Sequence, residues 1–143
     1  MIEQYEQYNK LMASIHPIPL TEVSHYGILS GTWEDKNEIV LAISQMNEKP
    51  KKSYAEEYLG VKSKDGEKKY MSVFGQYIVT PEVFTQLHQD ILNADDPNKE
   101  IELTSALDKV REQYGMMGVQ LQGRMYDMGN YNAFVKCVSE YSK

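Results

Sequence analysis

The sequence predicts a layered α/β domain, and three observations carry that prediction. Glu38 to Met46 (EIVLAISQM) and Tyr70 to Val79 (YMSVFGQYIV) read as strands, the second as a nearly continuous apolar strand of the buried kind. Three later segments carry apolar residues at helical spacing: Phe84, Leu87 and Ile91; Leu103, Ala106, Leu107 and Val110; and Tyr131, Phe134, Val135 and Val138. Between the last two stripes, Met117 to Gln122 (MGVQLQ) alternates as a strand does, so strands and helices interleave along the chain.

From the N-terminus, residues 2 to 9 predict a short polar helix, and Leu11 to Ile18 and Gly27 to Trp33 predict extended segments. The strand over Glu38 to Met46 ends at Asn47-Glu48-Lys49-Pro50, and Tyr54 to Tyr58 predict a helical turn. Lys62 to Lys69 (KSKDGEKK) is charged, contains a glycine and reads as an exposed loop. Thr80-Pro81-Glu82 is a helix start: the threonine oxygen caps free N–H groups, proline suits the first helical position, and the acid complements the helix dipole. That helix is expected to run to about Leu92, and all three apolar stripes are expected to face the core.

Composition narrows the function. The 143 residues suit one domain, 1–143, with no repeat or linker dividing it. No apolar run approaches the roughly 20 residues of a membrane helix, and Met1-Ile2-Glu3-Gln4-Tyr5-Glu6 lacks the pattern of a signal peptide, so the expected location is the cytoplasm, without membrane contact. A net charge of −6 repels the phosphate backbone of nucleic acids. Cys137 has no internal disulfide partner, and His16, His25 and His88 show no zinc-ligand spacing.

Three places are candidates for chemistry. Glu48-Lys49-Pro50 follows the strongest strand; proline holds the preceding residue extended, which presents a lysine at a fixed angle, although a solvated turn explains the same residues. Asp127, in Tyr126-Asp127-Met128-Gly129-Asn130, either caps the last helix or binds Mg²⁺, which typically takes one or two carboxylates besides phosphate oxygens and water. At Tyr26-Gly27 the missing side chain lets a ligand approach the backbone, though a plain turn accounts for it equally well.

These places lie within five segments, Val23-Ser24-His25-Tyr26-Gly27-Ile28, Asn47-Glu48-Lys49-Pro50, Gly75-Gln76-Tyr77-Ile78-Val79-Thr80-Pro81-Glu82, Glu100-Ile101-Glu102-Leu103-Thr104 and Gly123-Arg124-Met125-Tyr126-Asp127-Met128-Gly129. In that order they resemble the C-terminal half of bacterial-type UTP-glucose-1-phosphate uridylyltransferases. Gly75 to Pro81 is more similar to the uridylyl enzymes than to the thymidylyl ones, which usually carry Asn shortly before the glycine where this chain has Val73. The resemblance implies the C-terminal half of a Rossmann-like nucleotidyltransferase fold, a mixed sheet flanked by helices. It implies a reaction in which a glucose-1-phosphate oxygen attacks the α-phosphorus of UTP, giving UDP-glucose and pyrophosphate.

Carried onto this chain, the resemblance has Gly27 offering its backbone to the glucose ring beside Tyr26, and Glu48 accepting hydrogen bonds from sugar hydroxyls. Lys49 would pair with the sugar phosphate as the catalytic cation, Asp127 would be one of two acids holding Mg²⁺, and Thr104 is a weaker candidate near the same cleft. The nucleophile belongs to the substrate, so catalysis is positioning and charge neutralisation.

The family's Gly-rich loop with Gly-Thr-Arg and its other Mg²⁺-binding acid have no counterpart in these residues. Asn98-Lys99 and Ser105 also depart from the usual two glycines and Asp. The chain therefore reads as a fragment that is inactive alone, the alternative being a stand-alone sugar-phosphate-binding or regulatory module. Cutting a shared sheet should uncover a strand edge and apolar surface, so a homo-oligomer is expected.

Overall fold

A computed structural model describes residues 1–96, 101–123, 126, 128 and 131–141. In chain order these form α1 (Ile2–Tyr8), β1 (Leu11–Ile18), a 3₁₀ turn (Leu20–His25), β2 (Gly27–Trp33) and β3 (Val40–Glu48). Next come α2 (Lys52–Tyr54), running into a π-helical turn (Ala55–Leu59), then β4 (Val61–Lys62) and β5 (Lys68–Ile78). The chain continues with α3 (Pro81–Leu92), α4 (Leu103–Tyr114), β6 (Met116–Gln120) and α5 (Tyr131–Tyr141).

The sheet is mixed: β1 and β6 are parallel, while β6–β3, β3–β2, β2–β5 and β5–β1 are antiparallel. Those five pairings close on themselves, so each of the five strands has a bonded neighbour on both sides. The closure is partial: β6 pairs with β3 only at residues 40–42 and β5 with β2 only at residues 28–29, so the ladders cover part of those flanks and limit, without removing, the strand edge expected from the sequence. Alternation along β1 shows how the two faces are used: Leu11, Ala13 and Ile15 join the cluster with Val83 of α3 and Leu107 and Val110 of α4, while Met12 joins Val40, Met117 and Val119, against which Tyr5 and Tyr8 of α1 pack.

The helical stripes were only partly core. Ala106, Leu107 and Val110 are buried, but Phe84 and Ile91 of α3 are 63% and 59% exposed, and Leu103, Tyr131, Phe134, Val135 and Val138 are exposed as well. The α3 helix meets the core through Val83 and Leu87, an i,i+4 pair, which leaves the row containing Phe84 and Ile91 outside. Thr80 does not cap the helix with its side chain. Its side chain instead hydrogen-bonds the Glu82 carboxylate and lowers the Glu82 pKa, while its carbonyl accepts from Val83 N.

Two further boundaries moved for identifiable reasons. The strand expected from Glu38 starts at Val40 because the Asp35 carboxylate accepts from the backbone N–H of Asn37, Ile39 and Val40, at 2.8, 3.1 and 2.7 Å, and ties residues 35–39 into a turn. The stretch read as an exposed loop from Lys62 is a hairpin, with Lys62 paired to Lys68 and Val61 to Lys69. Glu38 is what secures it. Its buried carboxylate accepts from Ser63 Oγ at 2.6 Å, from Lys64 N, and from Lys69 Nζ at 3.3 Å.

The Ser63 hydroxyl foremost, then the Lys64 N–H and the Lys69 ammonium, hold the Glu38 carboxyl down at about 2. A folded pKa below the ordinary 4.5 means that this contribution is fully present above pH 4.5 and is lost as pH falls toward 2. Urea midpoints measured across that window should fall, and Glu38→Gln should flatten the dependence. An unchanged slope in Glu38→Gln would show that the hairpin is held by something else.

Candidate functional site

The site is built at one end of the β2–β3 ladder. The register places Gly27 opposite Glu48, with Leu29 opposite Met46 anchoring the pair in the core. Beyond Glu48 the chain does not stay extended. Lys49 has φ 46°, and its N–H donates to the Tyr26 carbonyl at 3.1 Å. The expectation that Pro50 keeps Lys49 extended is corrected here. The local preference of a residue before proline is overridden by that cross-strand hydrogen bond, and burial of Pro50 pins the following residue.

The left-handed turn leaves the Lys49 side chain 64% exposed, with Nζ 3.8 Å from Glu48 Oε1; the Glu48 side chain is 43% exposed. An ion pair this open contributes little to stability. Its consequence is chemical: an ammonium and a carboxylate stand side by side, each with valences free for a ligand. Gly27 is buried beneath that carboxylate, and a Cβ on it would lie 2.8 Å from Glu48 Oε2 and 3.8 Å from Val73 Cγ2. Tyr26 continues the rim, with its ring edge-on to His25 at 6.5 Å.

Gly27→Ala should therefore leave the fold intact while moving the Glu48 carboxylate, because the new methyl meets the flexible end of a side chain. For the sugar phosphate that the sequence resemblance implies as ligand, the expected result is an unchanged melting curve with affinity lowered about tenfold. Calorimetry on the folded variant checks it, and unaltered affinity would remove Glu48 from the site.

Two wall residues escaped the sequence reading. Val73 faces Gly27, and the Tyr77 phenol is pushed up, chiefly by burial and secondarily by the nearby Glu48 carboxylate. Both sit on β5, read as core strand; the signal was the period of two that puts Met71, Val73 and Tyr77 on one face. Tyr26, Gly27, Glu48 and Lys49 are thus brought together. Thr104 belongs to a different element, the first turn of α4, whose anchor to β3 is Arg111 Nη1 donating to the Ser44 carbonyl at 2.7 Å.

Asp127, the expected metal ligand, lies outside the described residues. Among the described residues no group of three or more His, Cys, Asp or Glu side chains is arranged to hold a metal ion. Nor is any helix among them long and apolar enough to cross a membrane.

Comparison with known proteins supplies the relationship. The chain is 26% identical over 142 residues to a UTP–glucose-1-phosphate uridylyltransferase of Streptococcus pneumoniae, covering 99% of this chain and 42% of that protein. To the Pseudomonas aeruginosa protein of the same name it is 25% identical, covering 97% of this chain and 44% of the relative. A UDP-glucose pyrophosphorylase crystallised with UDP-glucose superposes with a TM-score of 0.75 at 27% identity, over 98% of this chain and 47% of that one. An apo UDP-glucose pyrophosphorylase gives 0.77 at 29%, over 99% and 46%. The chain thus spans less than half the length of these relatives, and its mixed sheet flanked by helices is that of the matching part of the nucleotidyltransferase fold. The family model described as nucleotidyl transferase matches residues 1–143, and the chain belongs to that family.

Proposed function

We propose that this chain is the sugar-phosphate-binding part of an enzyme that makes UDP-glucose and pyrophosphate from UTP and glucose-1-phosphate. The observation that carries the reading is the buried Gly27 facing Glu48, with the Lys49 ammonium turned out beside it. A carboxylate over a bare backbone suits a sugar ring, because hydroxyls donate to the carboxylate and no Cβ intrudes. An adjacent ammonium suits the phosphate that the same sugar carries at C1.

In this reading residues 1–143 act as one domain. Glu48, Gly27 and Tyr26 orient the sugar, and Lys49 holds the phosphate whose oxygen attacks and offsets its charge as the oxygen approaches phosphorus. Thr104 is a further substrate contact. Asp127 would be one ligand of a Mg²⁺, which would supply charge neutralisation to the substrate phosphates, and its partner acid and the nucleotide loop would come from outside these residues. The setting is cytoplasmic.

Calorimetric titration of the purified chain with glucose-1-phosphate and with UDP-glucose tests the reading. Binding is expected, with loss in Lys49→Ala, and no UDP-glucose should form until a nucleotide-binding half is supplied. Turnover by the chain alone would overturn the division of labour. Binding that is indifferent to Lys49 would favour a module without this chemistry.

Self-association belongs to the same proposal, transferred from a strand edge to the helices, where Phe84, Ile91, Val135 and Val138 are exposed. Sedimentation velocity at high concentration should show more than one chain per particle. A monodisperse monomer would overturn it.

A further inference from the structure

We propose that the opposite end of the β2–β3 hairpin carries a second anion site, one that takes a phosphate or diphosphate group. Between the 33–38 turn and the β4–β5 hairpin lies an open cleft of about 510 Å³, lined by Trp33, Asp35, Lys36, Glu38, Lys62 and Lys64 among others. It lies six residues along β2 from Gly27, roughly 20 Å at the rise of a strand, so it is separate from the Glu48–Lys49 pair.

Charge accounting makes it an anion site. The two carboxylates in its wall are already committed: Asp35 accepts from three backbone N–H groups, and Glu38 from Ser63 Oγ, Lys64 N and Lys69 Nζ. The Lys36, Lys62 and Lys64 ammoniums are exposed and form no ion pair among the described residues. The lining thus carries three ammoniums with no ion pair, against two carboxylates, of which Glu38 is offset by Lys69.

A second observation is independent of the lysines. Trp33 Nε1 is shut off from solvent and has no acceptor among the described residues, a state that ordinarily costs a buried donor its full desolvation penalty. A small turn of the indole ring, which lines the cleft, would let that N–H donate to a bound oxyanion. Phosphate and diphosphate fit best, since each brings concentrated negative charge to three ammoniums and offers several acceptor oxygens at once.

Trp33 is the only tryptophan in the chain, so its indole N–H resonance reads this cleft alone. The ¹⁵N-labelled protein is titrated with inorganic phosphate, pyrophosphate and glucose-1-phosphate at constant ionic strength, with sodium chloride as control. A saturable shift of the Trp33 indole with phosphate or pyrophosphate is expected. It should persist in Lys49→Ala and weaken about tenfold or more in the Lys62→Gln, Lys64→Gln double variant. Lys36→Gln, at a turn position, serves as an independent second variant should the double variant melt early.

A response that matches chloride, that survives both lysine variants, or that disappears in Lys49→Ala would overturn the proposal. So would saturation by glucose-1-phosphate alone, since that requires the sugar. The proposal does not depend on the uridylyl-transfer reading, because a chain that binds no sugar phosphate at Lys49 can still show the Trp33 response.

Discussion

Lys49→Ala should lower the affinity for glucose-1-phosphate about tenfold in this chain, and kcat/KM about a hundredfold in an enzyme completed by a nucleotide-binding half. The binding loss is at the low end for a charge-assisted contact because the ammonium is 64% exposed and water competes for it. The rate loss is larger because charge builds on the attacking and transferring groups only in the transition state, where a fixed cation counts most. Backbone strain gives a way to separate chemistry from folding. At φ 46° any Cβ is disfavoured, so Lys49→Gly should be about 1 kcal/mol more stable than Lys49→Ala, while both lose binding equally. Chemical denaturation and calorimetry on the same pair measure the two effects. Equal binding by wild type and Lys49→Ala would remove the ammonium from the mechanism.

Gly31→Ala should cost about 3 kcal/mol, lowering the melting midpoint by about 10 °C. The position lies at the irregularity between Ser30 and Gly31 in the β2–β3 pairing. A Cβ there would overlap the Ala42 carbonyl oxygen outright, and it would sit 2.9 Å from that carbonyl carbon and 3.1 Å from Ile43 Cα. All three are backbone atoms, so no side-chain rotation relieves the clash and the two strands must part. Against a total stability of roughly 5–15 kcal/mol the loss is large. It also reaches function, since Gly27 and Glu48 face each other four residues along the same ladder. A thermal melt indistinguishable from wild type would mean that β2 and β3 are not held at this spacing. The contrast with Gly27→Ala is the informative one: there the new methyl meets the end of a carboxylate, and binding should fall without the fold.

Local pattern carried the elements a long way. Alternation and apolar runs located the strands that became β1, β2, β3 and β5, and the Pro81 start and the stripe at Ala106, Leu107 and Val110 located α3 and the buried face of α4. The places where reading failed share a cause. Glu38 looked like the first residue of a strand because its neighbours Ile39 and Val40 are apolar, yet Asp35 and a hydroxyl 25 residues away hold it in a turn. Phe84 and Ile91 looked like core because they share a helical stripe, yet periodicity says which residues align on a helix and not which aligned row faces the sheet.

For the site, the sequence alone determined the residue types and their order: a glycine opening one strand, and an acid and a lysine closing another, with the resemblance these support. Only the tertiary structure decided that Gly27 and Glu48, 21 residues apart, are partners across one ladder, that Lys49 leaves it by a left-handed turn, and that five of the strands pair in a closed ring. The division has a physical reason. Propensity and patterning act over a few residues, whereas register, ring closure and the Lys49 N–H to Tyr26 carbonyl hydrogen bond depend on which distant backbone groups meet, and packing of the whole core selects among those arrangements.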